Sequence, residues 1–140
     1  MENCLFCNII NGKIAASRVY EDSHCLAFLD IAPANKGHTL IIPRQHAENM
    51  DRNSPESLQC LIVVAQKIGR AMMSALGCTG YNVLVNTGKD AGQAVFHTHM
   101  HVIPRFSHDE VKIDWDHAKH HAAYGPGEIT LVQEKLRKFL

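Results

Sequence analysis

No apolar run in this chain approaches the 18 or so residues of a membrane-spanning helix, and no span is expected. There is no net charge either: 14 Lys and Arg offset 14 Asp and Glu over 140 residues. Broad attraction to nucleic acid or to an anionic membrane surface is thereby excluded, and an anionic ligand must be held by local donors. Internal repeats, low-complexity tracts and linkers are absent, and the length suits one domain. The start, Met1-Glu2-Asn3-Cys4, carries neither the basic nor the apolar region of a signal peptide, so a cytoplasmic location is expected. The five cysteines are scattered and odd in number, which is not a disulfide framework. Cys25, Cys60 and Cys78 sit among apolar neighbours and read as small buried hydrophobes. Cys4 and Cys7 form a C-x-x-C pair, whose spacing suits metal or redox work.

What is present is an ordinary globular composition, 46% apolar and 20% charged, and one unusual stretch. Residues 92–105 contain His97, His99 and His101, alternating with Thr98, Met100 and Val102. Valine, isoleucine and phenylalanine surround them, so the run reads as a β-strand. Strand alternation then places the three imidazoles on one face, about 6–7 Å apart, with Thr98, Met100 and Val102 turned to the core. Imidazole near neutral pH serves nucleophilic attack, proton transfer or metal binding equally well.

Around this stretch the pattern predicts an α+β fold. Residues 4–10 read as a short helix stopped at Asn11-Gly12, and Arg18–Tyr20, His24–Asp30 and His38–Pro43 read as strands. Ser54 is an N-cap and Pro55 a first helical residue. Leu58, Leu61, Ile62, Ala65, Ile68, Met72 and Leu76 then mark one apolar stripe on a long helix closed by Gly77. Tyr81–Asn86 is the next strand, followed by a glycine-containing loop and the histidine strand. Residues 107–126 look irregular and polar. A final amphipathic helix is expected over 127–139, with Ile129, Val132, Leu136 and Phe139 as its apolar positions.

The run His97-Thr98-His99-Met100-His101-Val102-Ile103 resembles the histidine triad (HIT) superfamily of nucleotide hydrolases and transferases. The likeness extends through "CLAFLDIAPANKGHTLIIPRQH" and "YNVLVNTGKDAGQAVFHTHMHVIPR". With the C-x-x-C start it covers residues 4–106, and it is similar to the prokaryotic branch related to Hint and Fhit. The uridylyltransferase branch has glutamine at the third triad position, where this chain has His101. The resemblance implies a five-stranded antiparallel sheet with one long helix and shorter ones, paired into a two-fold homodimer. It implies a HIT domain over 1–106 and an extension over 107–140, packed on that domain and ending in a helix.

The same resemblance assigns roles. His99 is the implied nucleophile, attacking the α-phosphate of an AMP-type substrate to form a nucleotidyl-histidine that water cleaves. His101 and His38 are the implied partners that line the phosphate site and deliver a proton, as imidazolium, to the leaving group. Asn86, Gly92, Gln93 and Ala94 form the loop before the triad, with backbone and side-chain amides as uncharged phosphate donors. The family commonly carries Ser or Thr where this chain has Ala94, so that hydroxyl is missing. Asp30 matches the ribose-binding carboxylate. Phe6, Ile9, Phe28, Ile31 and Leu40 resemble the apolar base pocket, which favours a purine with adenine preferred, although core packing accounts for them as readily. One subset of the family pairs the C-x-x-C with the histidine after Ile-Pro-x-x and with the first triad histidine. Those are His46 and His97, implying a closed structural zinc site with Cys4 and Cys7. His24, His108, His117, His120 and His121 have no partner at ligand spacing and read as solvated.

Two other readings compete with a phosphoramidase or dinucleoside polyphosphate hydrolase. One is a nucleotide-binding regulatory module with residual hydrolysis, favoured by Ala94 and opposed by retention of His38, His99 and His101. The other is a metallohydrolase with the triad as metal ligands, in which the metal would block attack by His99.

Overall fold

The computed structural model describes residues 4–113 and 124–140. His117, His120 and His121 lie outside the described residues, as do Met1, Glu2 and Asn3. The chain forms a five-stranded antiparallel sheet in the order β1-β2-β3-β5-β4. The strands are β1 (Arg18–Glu21), β2 (Cys25–Leu29), β3 (Thr39–Pro43), β4 (Gly80–Val85) and β5 (Met100–Arg105). Among the described residues three α-helices accompany it: α1 (Leu5–Ile10), α2 (Pro55–Leu76) and α3 (Glu128–Arg137). The expected α+β class and antiparallel sheet are thus observed. No helix among the described residues is long and apolar enough to cross a membrane.

Alternation along the strands sends two sets of side chains to opposite faces. Cys25, Ala27, Ile41, Met100 and Val102 meet Leu61, Val64, Ala65, Ile68 and Met72 of α2. Leu26, Phe28, Leu40 and Ile42 meet Phe6 and Ile9 of α1. Each such side chain fully removed from water contributes roughly 1.5–3 kcal/mol. The long helix begins as expected: the Ser54 hydroxyl accepts from the Ser57 N–H, Pro55 stands in the first turn, and Gly77 ends it at φ 69°. Its buried stripe is Leu61, Val64, Ala65, Ile68, Gly69 and Met72. Ile62 and Leu76, expected inside, are exposed at 51% and 42%. Ile62 falls just outside the arc that faces the sheet, which Val64 and Gly69 help to fill, whereas Leu76 lies on that arc but at the last residue of the helix, beside Gly37. Tyr81 of β4 packs so closely on Gly69 that a Cβ there would stand 2.3 Å from its ring.

The histidine stretch departs from expectation. Strand β5 starts only at Met100, and residues 92–99 are irregular. Its last ladder partners are Ile41 on one side and Val85 on the other. Two residues beyond Ile41 lies Pro43, which has no N–H to offer the ladder. The Pro43 carbonyl instead takes the His97 ring at 2.9 Å. His97 and His99 therefore do not share a face with His101 through strand alternation. Thr98 is buried as expected, but by its own bonds: its backbone N–H and its hydroxyl both donate to the Ala47 carbonyl, and its oxygen accepts from the Asn53 amide.

Helix α3 falls within the expected 127–139. Ile129, Leu136 and Phe139 are exposed, and the helix buries none of its residues. Cys25 and Cys78 are buried as predicted, while Cys60 is only half-buried.

Candidate active site and metal centre

His99 and His101 stand on the α1 side of the sheet, with His38 beside them at the start of β3. His99 is 5% exposed, and its Nδ1 lies 2.8 Å from the His97 carbonyl oxygen. A carbonyl only accepts, so Nδ1 carries the hydrogen and Nε2 keeps its lone pair. Phe6 meets the ring edge-on, with centroids 5.2 Å apart, and His101 stands 5.0 Å away.

The same accounting orders the next two rings. The Ala34 backbone N–H donates to His38 Nδ1 at 3.1 Å. His38 must then carry its hydrogen on Nε2, which faces His101 Nδ1 at 2.9 Å. His101 in turn carries its hydrogen on Nε2, and that buried atom has no partner among the described residues. A buried donor without an acceptor is costly, and it is a group placed to meet a ligand oxygen. Burial lowers the pKa of His38, partly opposed by Asp30. Burial, followed by His99 and His38, brings His101 down to about 4. Both shifts favour neutral rings at pH 7 in the unliganded chain, where the transferable proton of the pair is the Nε2–H of His101.

Asp30 stays close, with its Oδ2 3.6 Å from His38 Nδ1, while its Oδ1 accepts from the Ala32 N–H. Asp30, His38 and His101 are near enough together to hold a metal. The two histidines, however, are bonded to each other, so a metal there would have to break that bond.

The loop residues divide. Gly92 has φ 84°, a left-handed conformation that favours glycine, and its carbonyl accepts from the Asn86 amide at 3.4 Å. Gln93 is buried, and its Nε2 donates to the Glu48 and Val95 carbonyls while its Oε1 accepts from the Gly88 N–H. Its amide hydrogens are already engaged, so Gln93 holds the loop instead of offering donors to phosphate. Ala94 is exposed. Of the expected base-pocket residues, Phe6, Ile9, Phe28 and Leu40 are core, and Ile31 is fully exposed on the loop after β2.

The metal quartet is assembled as expected. Cys4 Sγ is 3.5 Å from His97 Nδ1, Cys7 Sγ is 3.4 Å from His46 Nδ1 and 3.6 Å from His97 Nδ1, and the two Nδ1 atoms are 3.2 Å apart. Thiolate and imidazole ligands at about 2.3 and 2.0 Å from a tetrahedral zinc stand roughly 3.3–3.8 Å from one another. The donor set therefore fits. His97 Nε2–H on the Pro43 carbonyl turns the lone pair of Nδ1 into the quartet, the outer bond that metal-binding imidazoles normally make. Burial raises the Cys7 thiol, and Cys4 raises it further, a penalty that a bound cation removes.

Sequence reasoning missed four contributors. Asn53 and Thr98 hold the backbone between His97 and His99. Asn35 and Asp109 do the same for the loop after β2. The Asn35 amide donates to the Pro104 carbonyl and to Asp109, while Asp109 takes two bonds from Arg105. The i,i+4 spacing of Arg105 and Asp109 was visible, but nothing local marks Asn35, Asn53 or Thr98.

Fold and site together define a class: small α+β proteins in which an inner strand of the sheet is entered through alternating histidines. The chain belongs to the HIT family, whose domain model matches residues 11–108. It is 43% identical over 141 residues to Protein hit of Bacillus subtilis, covering 99% of this chain and 95% of that one. It is 40% identical over 107 residues to Adenylylsulfatase HINT3 of Arabidopsis thaliana, covering 76% and 54%. Among solved structures, a HIT family protein from Bacillus anthracis superposes with TM-score 0.89 at 38% identity, covering 99% and 98%. A zinc-bound histidine triad protein from Mycobacterium smegmatis gives 0.78 at 40% identity, covering 84% and 87%.

Proposed function

We propose that this HIT protein hydrolyses, or transfers, the adenylyl group of AMP-type substrates through a covalent nucleotidyl-histidine on His99. One observation carries the reading: His99 has Nδ1 locked on a carbonyl and Nε2 free, beside the unanswered Nε2–H of His101. In the first step His99 Nε2 bonds to the α-phosphorus, and the bond from phosphorus to the leaving group breaks. The His38–His101 pair takes up one proton from solvent, at His38 Nδ1 beside Asp30, as the anionic phosphate binds. His101 Nε2–H then passes its proton to the leaving group, the His38 Nε2–H moves to His101 Nδ1, and both rings end neutral. Water then attacks phosphorus, the P–N bond breaks, and the relay runs in reverse. Asp30 binds the ribose hydroxyls. Asn86, Gly92 and Ala94 border the phosphate, with backbone N–H groups as donors. A purine, adenine preferred, lies against Ile31 and the edge of the Phe6, Ile9, Phe28 and Leu40 cluster. The name of the Arabidopsis relative widens the leaving groups from amine and nucleotide to sulfate.

Cys4, Cys7, His46 and His97 hold one zinc per chain. All four positions belong to the protein, so the metal is structural, tying α1 to the segment that carries His99. The protein is a cytoplasmic homodimer, with catalytic domain 1–106 and extension 107–140. Edge strand β4 has its outer side unpaired among the described residues, and Ile62, Val63 and Val83 are exposed beside it. An apolar edge of this kind is a template for a second copy.

The test is trapping. The protein is mixed with an adenosine phosphoramidate, a dinucleoside polyphosphate or adenylylsulfate, quenched in acid-free denaturant and mapped by mass. An adenylyl group on His99 is expected. Turnover of none of the three, with no adduct, leaves the alternative of a nucleotide-binding regulatory module, which the missing hydroxyl at Ala94 favours.

A further inference from the structure

On the α2 side of the sheet, away from the histidines, two thiols from distant parts of the chain meet. Cys25 opens β2 and is wholly buried, and Cys60 lies in the second turn of α2, half-buried. Their sulfurs are 2.9 Å apart, with the Cys25 thiol donating to Cys60. That is inside ordinary van der Waals contact for two sulfurs. Cys60 also lines a surface cavity of about 340 Å³, together with Ser23, His24, Arg44, Glu56 and Ser57. One sulfur of the pair is thus reachable by a small molecule, and the other waits behind it.

We propose that Cys25 and Cys60 are a reversible disulfide-forming site, closed by exchange with a low-molecular-weight disulfide such as oxidised glutathione. Cys60 loses its proton and attacks one sulfur of the oxidant. A Cys60–glutathione bond forms, and the other glutathione leaves as a thiolate that takes up a proton. Cys25 then gives its proton to the second departing glutathione as its sulfur attacks Cys60 Sγ. Two protein thiols are oxidised and one glutathione disulfide is reduced. The order follows from access and from the hydrogen bond: Cys25 is shielded and keeps its proton, its thiol pushed up by burial and by Cys60.

A metal is the competing use, because Asp22 stands near both sulfurs. The geometry favours the disulfide. Two thiolates on one zinc stand about 3.8 Å apart, well beyond the distance seen. Asp22 is also engaged, its Oδ1 by the His24 and Cys25 N–H groups and its Oδ2 by the Tyr20 hydroxyl. The new bond joins β2 to α2 across the core and leaves the histidines untouched.

The test uses the full chain as purified, titrated with oxidised glutathione and mapped without reduction. The expected product is a Cys25–Cys60 peptide pair lighter by two hydrogens and restored by dithiothreitol. It melts several degrees higher than the reduced protein. Cys60→Ser gives neither the pair nor an adduct on Cys25. Cys25→Ala stops at glutathione on Cys60. Should that variant fail to fold, the wild-type time course shows the same adduct transiently. Oxidation confined to Cys4 and Cys7, with Cys25 and Cys60 still alkylatable on unfolding, overturns the proposal. So does a stable Cys60 adduct in the wild type.

Discussion

At the scale of single residues the site is a problem in hydrogen accounting. His38 has both ring nitrogens answered by the protein, whereas His99 and His101 have one each, and their Nε2 atoms stand outside the chain's own bonding. Removing His99 removes the attacking lone pair: His99→Ala lowers kcat by roughly 10⁴-fold or more and abolishes the trapped adduct. In the proposed mechanism His101 acts on the leaving group, so its effect depends on that group. An amine departs only with a proton, whereas sulfate departs as a stable anion. His101→Gln is expected to slow phosphoramidate hydrolysis at least tenfold more than adenylylsulfate hydrolysis, about 1.4 kcal/mol of difference. Equal losses on both substrates remove His101 from proton delivery. The same residue links stability to pH. Burial, with His99 and His38, brings it from 6.5 to about 4 in the fold. Below 6.5 the unfolded chain therefore binds more protons, so stability is complete above that pH and is lost as pH falls toward 4. The upper bound is about 3 kcal/mol. Melting curves from pH 7 to 4 should fall more shallowly for His101→Gln, in which the zinc ligands still titrate.

At the scale of elements, the closeness of α2 to β4 sets a tight constraint. Gly69→Ala gains up to about 1 kcal/mol of helix propensity, but the new Cβ meets the Tyr81 ring at 2.3–2.5 Å. Overpacking of this kind costs about 1–3 kcal/mol, so the net effect is destabilising, measured by urea unfolding. A neutral or stabilised variant means that the helix is free to shift. The other element with a distinct dependence is α1. It has six residues, too few to stand without tertiary support. Its anchors are Phe6 and Ile9 in the core and Cys4 and Cys7 in the quartet. Cys4→Ser is expected to lose the one zinc per chain found by elemental analysis and to lower the melting temperature. Phosphoramidate turnover should be reduced but not abolished, since the proposed mechanism gives the chemistry to the imidazoles and the metal only a structural role. A variant that keeps its zinc refutes the ligand set.

At the scale of the whole molecule, β4 is an edge of the sheet among the described residues, and the apolar surface of α2 that misses the core lies next to that edge. Sedimentation at micromolar concentration is expected to give a dimer. Val63→Glu, which puts a charge on the exposed face without touching a buried residue, should give a folded monomer. A wild-type monomer at that concentration counts against the pairing of β4 with a second copy.

Much of this was legible in the residues alone. Helix α2 could be read to within a residue because its signals are local: a serine cap, a proline in the first turn, a glycine at positive φ. The strands β1 to β4 were legible for the same reason, the triad was legible from its alternation, and the grouping of Cys4, Cys7, His46 and His97 followed from the resemblance to one subset of the family. What the residues could not decide was the course of the chain through the triad. Alternation predicted one strand with three equivalent histidines. The strand begins only at Met100, because a ladder needs a partner and the neighbouring strand ends in Pro43, 57 residues earlier in the chain. That long-range fact turns His97 onto a carbonyl and into the quartet, and it leaves His99 resting on the His97 carbonyl. The alternation of His97, His99 and His101 was written in the sequence. Which nitrogen of each ring is free, that Gln93 is scaffold, and that Cys25 faces Cys60 were decided by tertiary structure, since hydrogen bonds and burial between distant segments exist only once the chain has folded.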